Sequence, residues 1–249
     1  MVGSPNPAVA APLVPTGKWV VNFDDAQCVA SRDYGTDQLF LKASPLGDLV
    51  QFGVIRPGRT GPPQQITAEI QPAQGPIYRG NALLWNAGSK PPKSIRLINL
   101  PEPEFRRLAA SAMINLKIGE MKQSYTLPAM GALAAVMKNC VDDLQKVWSA
   151  QGGVAAAAEA SLASFLKAED YPGEALGKDF SGTTGFAMLI DEAGRVADCM
   201  VVETSGHAIL DMQSCAIMKV RARFQPARDK SGKPTRDRVR SRIRWVIPK

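Results

Sequence analysis

The last strand-forming stretch of this chain fixes its own orientation. Between Arg238 and Ile247, Val239, Ile243, Trp245 and Ile247 alternate with Arg238, Arg240, Arg242 and Arg244. A period of two places one set on each face of a β-strand, so one face is core and the other is basic. Such a strand needs a pairing partner and an apolar layer, and the residues before it supply both. Phe186, Met188 and Ile190 alternate with Ala187 and Leu189, and Asp191-Glu192-Ala193-Gly194 then offers a turn with a glycine free to take positive φ. Val196 to Glu203, rich in β-branched residues, returns as a second strand until Thr204-Ser205-Gly206 interrupts it. A helix is predicted over 208–222, with Leu210, Ser214, Ile217 and Met218 on one face. Asp211 lies near its positive end and Lys219, Arg221 and Arg223 near its negative end. Pro226 forbids continuation, and Asp229 to Pro234 forms the turn into the final strand.

This order, preceded by Tyr171-Pro172-Gly173-Glu174-Ala175-Leu176, resembles the TonB C-terminal domain. The matching residues are Tyr171-Pro172, Ser181-Gly182, Asp191 with Gly194-Arg195-Val196, Ser205-Gly206-His207, Leu210-Asp211 and Arg223-Phe224-Gln225-Pro226-Ala227-Arg228, ending in the arginine-flanked strand. The resemblance implies, for residues 171–249, a short helix, a β-hairpin, a helix and a final strand in a three-stranded antiparallel sheet. It also implies a partner. TonB-like domains bind a short box of outer-membrane transporters by strand addition, here through the region from Arg236 to Ile247. Arg236, Arg238, Arg240, Arg242, Arg244 and Trp245 are therefore the expected partner-binding residues. Proteins of this class draw energy through an N-terminal transmembrane helix, whereas no run of about 18 apolar residues occurs here. Met1-Val2-Gly3-Ser4 and the Pro- and Ala-rich residues after it read as a start left by removal of a signal or anchor.

The 249 residues allow two modest domains. A net charge of +7 admits nucleic acid, anionic lipid or acidic partners. Without zinc-ligand spacing or an aromatic stacking stripe beside it, nucleic acid is not the expected partner. The four cysteines, Cys28, Cys140, Cys199 and Cys215, form no CxxC pair and accompany a single histidine, which argues against a metal or redox site. Disulfides are the expected reading. Cys199 lies on the second strand of the terminal module and Cys215 on the helix that should cover it, which leaves Cys28 to pair with Cys140. The alternative is four reduced, buried thiols. Bridged, they indicate an oxidising compartment, which for a TonB-like protein is the periplasm.

Residues 1–16 read as a flexible leader. Residues 17–150 carry strand-like stretches at 19–23, 39–41, 49–55, 65–70, 81–85 and 94–100, then a short helix over 104–110 and a strand over 112–118. A polar strand-like segment leads to an amphipathic helix, Met130 to Trp148, with Leu133, Val136, Met137, Cys140, Leu144 and Val147 at three- and four-residue steps. No family is recognised for this region. Residues 151–170 form the expected linker, helical from Ala155 to Lys167. The fold class is thus α+β: a mainly β N-terminal domain closed by a helix, followed by the TonB-like domain.

No active site or cofactor site is read. His207, the only histidine, sits in the Ser-Gly-His turn, where capping or a surface contact is expected. Asp24-Asp25 and Asp142-Asp143 are sequence neighbours, which point apart rather than share a proton. Gly58, Gly61, Gly75 and Gly80 lie among prolines in loops, not at a strand-to-helix turn. The expected function is peptide binding by strand addition to an outer-membrane transporter or another envelope protein. The alternative is a periplasmic binding or scaffold protein. There the terminal module would be structural or homodimerising, and residues 17–150 would bind a ligand in an apolar pocket near Trp19, Trp85 or Tyr78.

Overall fold

The computed structural model describes residues 11–148 and 154–247. The N-terminal part is one antiparallel sheet. Its strands are β1 (Val20–Phe23), β2 (Cys28–Tyr34), β3 (Asp37–Ala43), β4 (Leu49–Pro57), β5 (Gln64–Pro72), β6 (Tyr78–Asn86), β7 (Lys93–Pro101), β8 (Met113–Ile118) and β9 (Met121–Thr126). Their spatial order is β1-β2-β3-β4-β7-β6-β5-β8-β9. Alternation decides which face is core. Leu39 and Leu41, Phe52 and Val54, Ile98 and Leu100, and Ile114, Leu116 and Ile118 are all buried on the inner face.

The sheet curls until β2 and β9 meet. Tyr34 Oη donates to the Thr126 carbonyl at 2.7 Å and Arg32 Nη1 to that of Pro128 at 2.7 Å. The segment just before β1 seals the seam. Leu13 exchanges backbone hydrogen bonds with Ser124 and Thr126, and the Thr16 amide donates to Asp33. Residues 11–16 are therefore part of the wall rather than a free leader; the rest of the expected leader, residues 1–10, lies outside the described residues.

One end of this barrel is capped by α1 (Glu102–Ala109) and α2 (Met130–Trp148). Helix α2 buries Met130, Leu133, Met137, Cys140, Leu144 and Trp148. Val136 and Val147, expected on that face, are 41% and 50% exposed. The contact stripe is narrower than the apolar pattern, and Trp148 closes the helix end by donating its indole N–H to the Asp25 carbonyl. Cys28 and Cys140 are disulfide-bonded, tying β2 to α2 across a sequence separation of 112.

The C-terminal module contains α3 (Gly173–Gly177), β10 (Gly182–Ile190), β11 (Val196–Glu203), α4 (Ala208–Arg221), the two-residue strands β12 (Ala227–Arg228) and β13 (Pro234–Thr235), and β14 (Asp237–Trp245). Its sheet has the order β11-β10-β14, antiparallel throughout. The 191–194 turn requires its glycine: Gly194 has φ +76°, and a Cβ there would lie 1.9 Å from the Phe224 carbonyl oxygen. Phe186, Met188 and Ile190 face α4, which buries Leu210, Ser214, Ile217 and Met218 against them. The Cys199–Cys215 disulfide locks β11 to α4.

The opposite face of the sheet is covered by the barrel. Ala187, Leu189 and Met200 belong to the barrel's own core cluster, and Lys42 on β3 pairs with the buried Asp198 of β11 at 3.0 Å. The expected linker helix is absent among the described residues. Ala155 and Ala156 donate to the Arg228 carbonyl, and Glu159 and Gln225 exchange backbone hydrogen bonds. Extended pairing with the chain after α4 outweighs the helical preference of the alanines, and only Leu162–Phe165 form a short 3-10 turn. Gln151 to Gly153, the expected opening of the linker, lie outside the described residues.

Candidate functional site

The central strand β10 is paired on both sides, so β11 and β14 are the edges of the module's sheet. Among the described residues no strand pairs with the outer side of β14. In an antiparallel ladder alternate residues turn their N–H and C=O away from the partner, so half of the backbone groups of β14 face outward. Such an edge is a template for another extended chain.

The register divides the side chains of β14 cleanly. Val239, Ser241, Ile243 and Trp245 oppose Met188, Phe186, Thr184 and Gly182, on the face that α4 covers. Arg238, Arg240, Arg242 and Arg244 oppose Leu189, Ala187, Gly185 and Thr183 on the other face, and all four guanidinium-bearing residues are exposed. Helix α4 lies mainly over β11 and β10 and meets β14 at its Trp245 end, so the Val239–Ser241 part of that face is left to the 158–165 segment. Between them runs an open groove of about 780 Å³, bordered by Ala158, Leu162, Phe165, Phe224, Val239 and Ser241. The Ala158 amide donates to Asp237 Oδ2 at 2.9 Å, anchoring the groove's wall at the start of the strand.

The remaining expected partner-binding residues sit differently. Trp245 is 6% exposed, its ring edge-on to Tyr171 at 5.4 Å and its indole N–H donated to Ser214 Oγ at 3.0 Å. Its side chain belongs to the core and shapes the strand from beneath. Arg236 pairs with Glu192 at 2.8 Å and lies over the Trp148 ring at 4.9 Å, so it joins the module to α2. Ile247 follows the end of β14 and is exposed, not part of the core face. The groove residues Ala158, Leu162 and Phe165 could not be identified from periodicity, because the same spacing reads as a helix when the pairing of Glu159 with Gln225 is unknown.

Buried polar groups hold the module's turns. Asp211, 3% exposed, accepts from Thr184 Oγ1 at 2.8 Å, from the Ser205 amide at 2.8 Å and from Thr204 Oγ1. This one carboxylate fixes the break after β11 and the start of α4. His207 makes no side-chain cap of α4; its ring stacks on Phe180 at 4.0 Å. The Asp170 side chain accepts from the Lys167 amide at 2.7 Å and pairs with Arg221, and its carbonyl accepts from Gln213. The Arg221 guanidinium hydrogen-bonded to Asp170 holds that carboxyl below its usual range.

Among the described residues no group of three or more His, Cys, Asp or Glu is placed to hold a metal ion. In the barrel, Tyr78 donates its hydroxyl to the Asn99 carbonyl and borders a crevice of about 10 Å³, at the limit for one water. The Trp19 ring lies under the Arg32 guanidinium at 5.7 Å.

A small module with one face under a helix, one face against a barrel and one long edge left open is a frame for interaction with another chain. Residues 167–247 match the family model of the Gram-negative bacterial TonB protein C-terminal. The module is therefore a TonB C-terminal domain, in a family of non-enzymatic protein-interaction domains that work in the periplasm. No curated protein and no solved structure matches the chain.

Proposed function

We propose that the chain is a periplasmic TonB-family protein whose terminal module binds an extended segment of an outer-membrane transporter, or of another envelope protein, by strand addition along β14 in energy-coupled transport. The observation that carries this reading is the outer edge of β14, unpaired among the described residues, inside a module of the TonB C-terminal family. Backbone hydrogen bonds to that edge supply affinity, and alternate side chains supply choice. About five net hydrogen bonds at about 1 kcal/mol each, less the ordering of the peptide, give micromolar or weaker binding. Such a complex forms and releases quickly, as repeated rounds of coupling require.

The test is an NMR titration of the full, oxidised chain with peptides copied from the N-terminal boxes of outer-membrane transporters. Amide shifts concentrated in Asp237–Trp245 are expected. Silence along β14 at millimolar peptide would rule out the transporter reading. A second reading, in which the module is structural and the barrel binds the ligand, draws on the barrel's cover over Ala187, Leu189 and Met200. It meets an interior already filled by Tyr34, Phe52, Ile98 and Tyr125, each under 2% exposed.

A further inference from the structure

The arginines of β14 differ from most other cations of the chain. Arg106 pairs with Glu102, Lys138 with Asp142, Arg195 with Asp191 and Arg236 with Glu192. Arg238, Arg240, Arg242 and Arg244 have no ion pair or side-chain hydrogen bond among the described residues, and their cross-strand neighbours Leu189, Ala187, Gly185 and Thr183 carry no charge. On the next strand, Asp198 is already taken by Lys42 and Lys219. Glu203, in register with Gly185 and so with Arg242, leans its carboxylate over Gly185, where Oε2 would lie 3.1 Å from a Cβ, but it makes no ion pair with Arg242 among the described residues. The four guanidinium groups thus form a row about 20 Å long, since alternate residues of a strand lie about 6.8 Å apart. The row has no ion pair among the described residues and one carboxylate, that of Glu203, near its Arg242 position.

A row of charge alone would serve to keep any exposed edge from self-pairing. What gives this row a further meaning is the groove on the other side of the same strand. A chain added to β14 continues its pleat, so its side chains alternate between the two faces. Those on one side lie beside the arginines. Those on the other enter the space bordered by Leu162, Phe165, Phe224 and Val239.

We propose that β14 selects an extended segment of about seven residues, the span from Arg238 to Arg244, with carboxylates at alternate positions and aliphatic side chains between them. This rests on the strand-addition reading and names its ligand class. Each arginine contributes through a partly exposed ion pair, weak singly and additive along the row.

The experiment measures binding of labelled peptides to the full oxidised chain by fluorescence anisotropy, with the site located by amide shifts. Three peptides are compared: alternating Glu and Val, the same with Gln for Glu, and the same composition with the glutamates grouped at one end. The alternating peptide is expected to bind best, by about two- to fivefold for each carboxylate relative to its Gln counterpart at about 0.01 M ionic strength. The difference should close at about 1 M, where the screening length falls to about 3 Å. The double variant Arg240→Glu/Arg242→Glu should prefer an alternating Lys and Val peptide instead, with an unchanged circular dichroism spectrum.

Equal binding of the Gln and Glu peptides, with shifts still at β14, would overturn the acidic selectivity and leave strand addition standing. No β14 shift with any of the three would remove both. Binding of phosphatidylglycerol vesicles through the same arginines, without binding of the acidic peptide, would also overturn the proposal and assign the row to a membrane surface.

Discussion

At the scale of single residues, the module depends on a few carboxylates that do the work of turns. Asp211 satisfies two hydroxyls and one amide around the break between β11 and α4. Asp211→Ala leaves Thr184 Oγ1 buried without its partner and is expected to cost about 3 kcal/mol, since hydrogen bonds to charged groups are worth about 1.5–3 kcal/mol and an unsatisfied buried donor adds its own penalty. Urea unfolding measures it, and Asp211→Asn should cost less. Asp170 gives a pH signature. Its carboxyl titrates below the usual range because Arg221 holds the charged form, so the folded state binds that proton more weakly than the unfolded chain. Its stabilising contribution is fully present above the unfolded pKa of about 3.9 and is lost as pH falls through the lower folded value. Asp170→Asn should therefore lower the melting temperature at neutral pH and flatten its decline in acid. An unchanged acid profile would show that other carboxylates set it.

At the scale of elements, the two disulfides join unlike partners: strand to capping helix in the barrel, strand to covering helix in the module. In the chain-entropy account a loop of about 15 residues is worth about 3 kcal/mol and one of about 100 residues about 4.7 kcal/mol. Replacing Cys199 and Cys215 by serine should destabilise less than replacing Cys28 and Cys140, with denaturant midpoints as the readout. Elements with local patterns were legible in the sequence. The span of α2 from Met130 to Trp148, the hairpin of β10 and β11, α4, and β14 all follow from period and from glycine or proline stops. Strand β2 was not, because its inward Cys28 and Ala30 are small and Arg32 and Asp33 interrupt any apolar alternation. The 155–167 segment reads as a helix in the sequence because its alanines favour one, while its backbone partners, Gln225 and Arg228, lie far along the chain. For the candidate site this means that the basic face of β14 was legible and the groove was not. The first is a property of one strand, and the second depends on where a distant segment comes to lie.

At the scale of the whole molecule, the module's sheet is a shared layer, with α4 on one side and the barrel on the other. The covered face consists of Ala187, Leu189 and Met200 with the Lys42–Asp198 pair at its margin, and Arg236 over Trp148 adds a second tie. Barrel and module should therefore unfold together. Met200→Glu places a charge in that contact and is expected to split a single calorimetric transition into two, while leaving peptide binding at β14 intact. One undivided transition at the original temperature would mean the contact contributes little. Among the described residues no helix is long and apolar enough to cross a membrane. Strand addition needs only the edge of β14, and among the described residues no strand of the barrel pairs with it.

The most direct measurement of that claim is hydrogen exchange on the full oxidised chain, residue by residue, with and without a saturating transporter-box peptide. Strand addition requires that the outward-facing amides of Asp237–Trp245 become protected in alternation, while those already bonded to β10 change little. Protection confined to this pattern would establish the edge as the binding site. Unchanged exchange along β14, or protection appearing on β1–β9 instead, would contradict it.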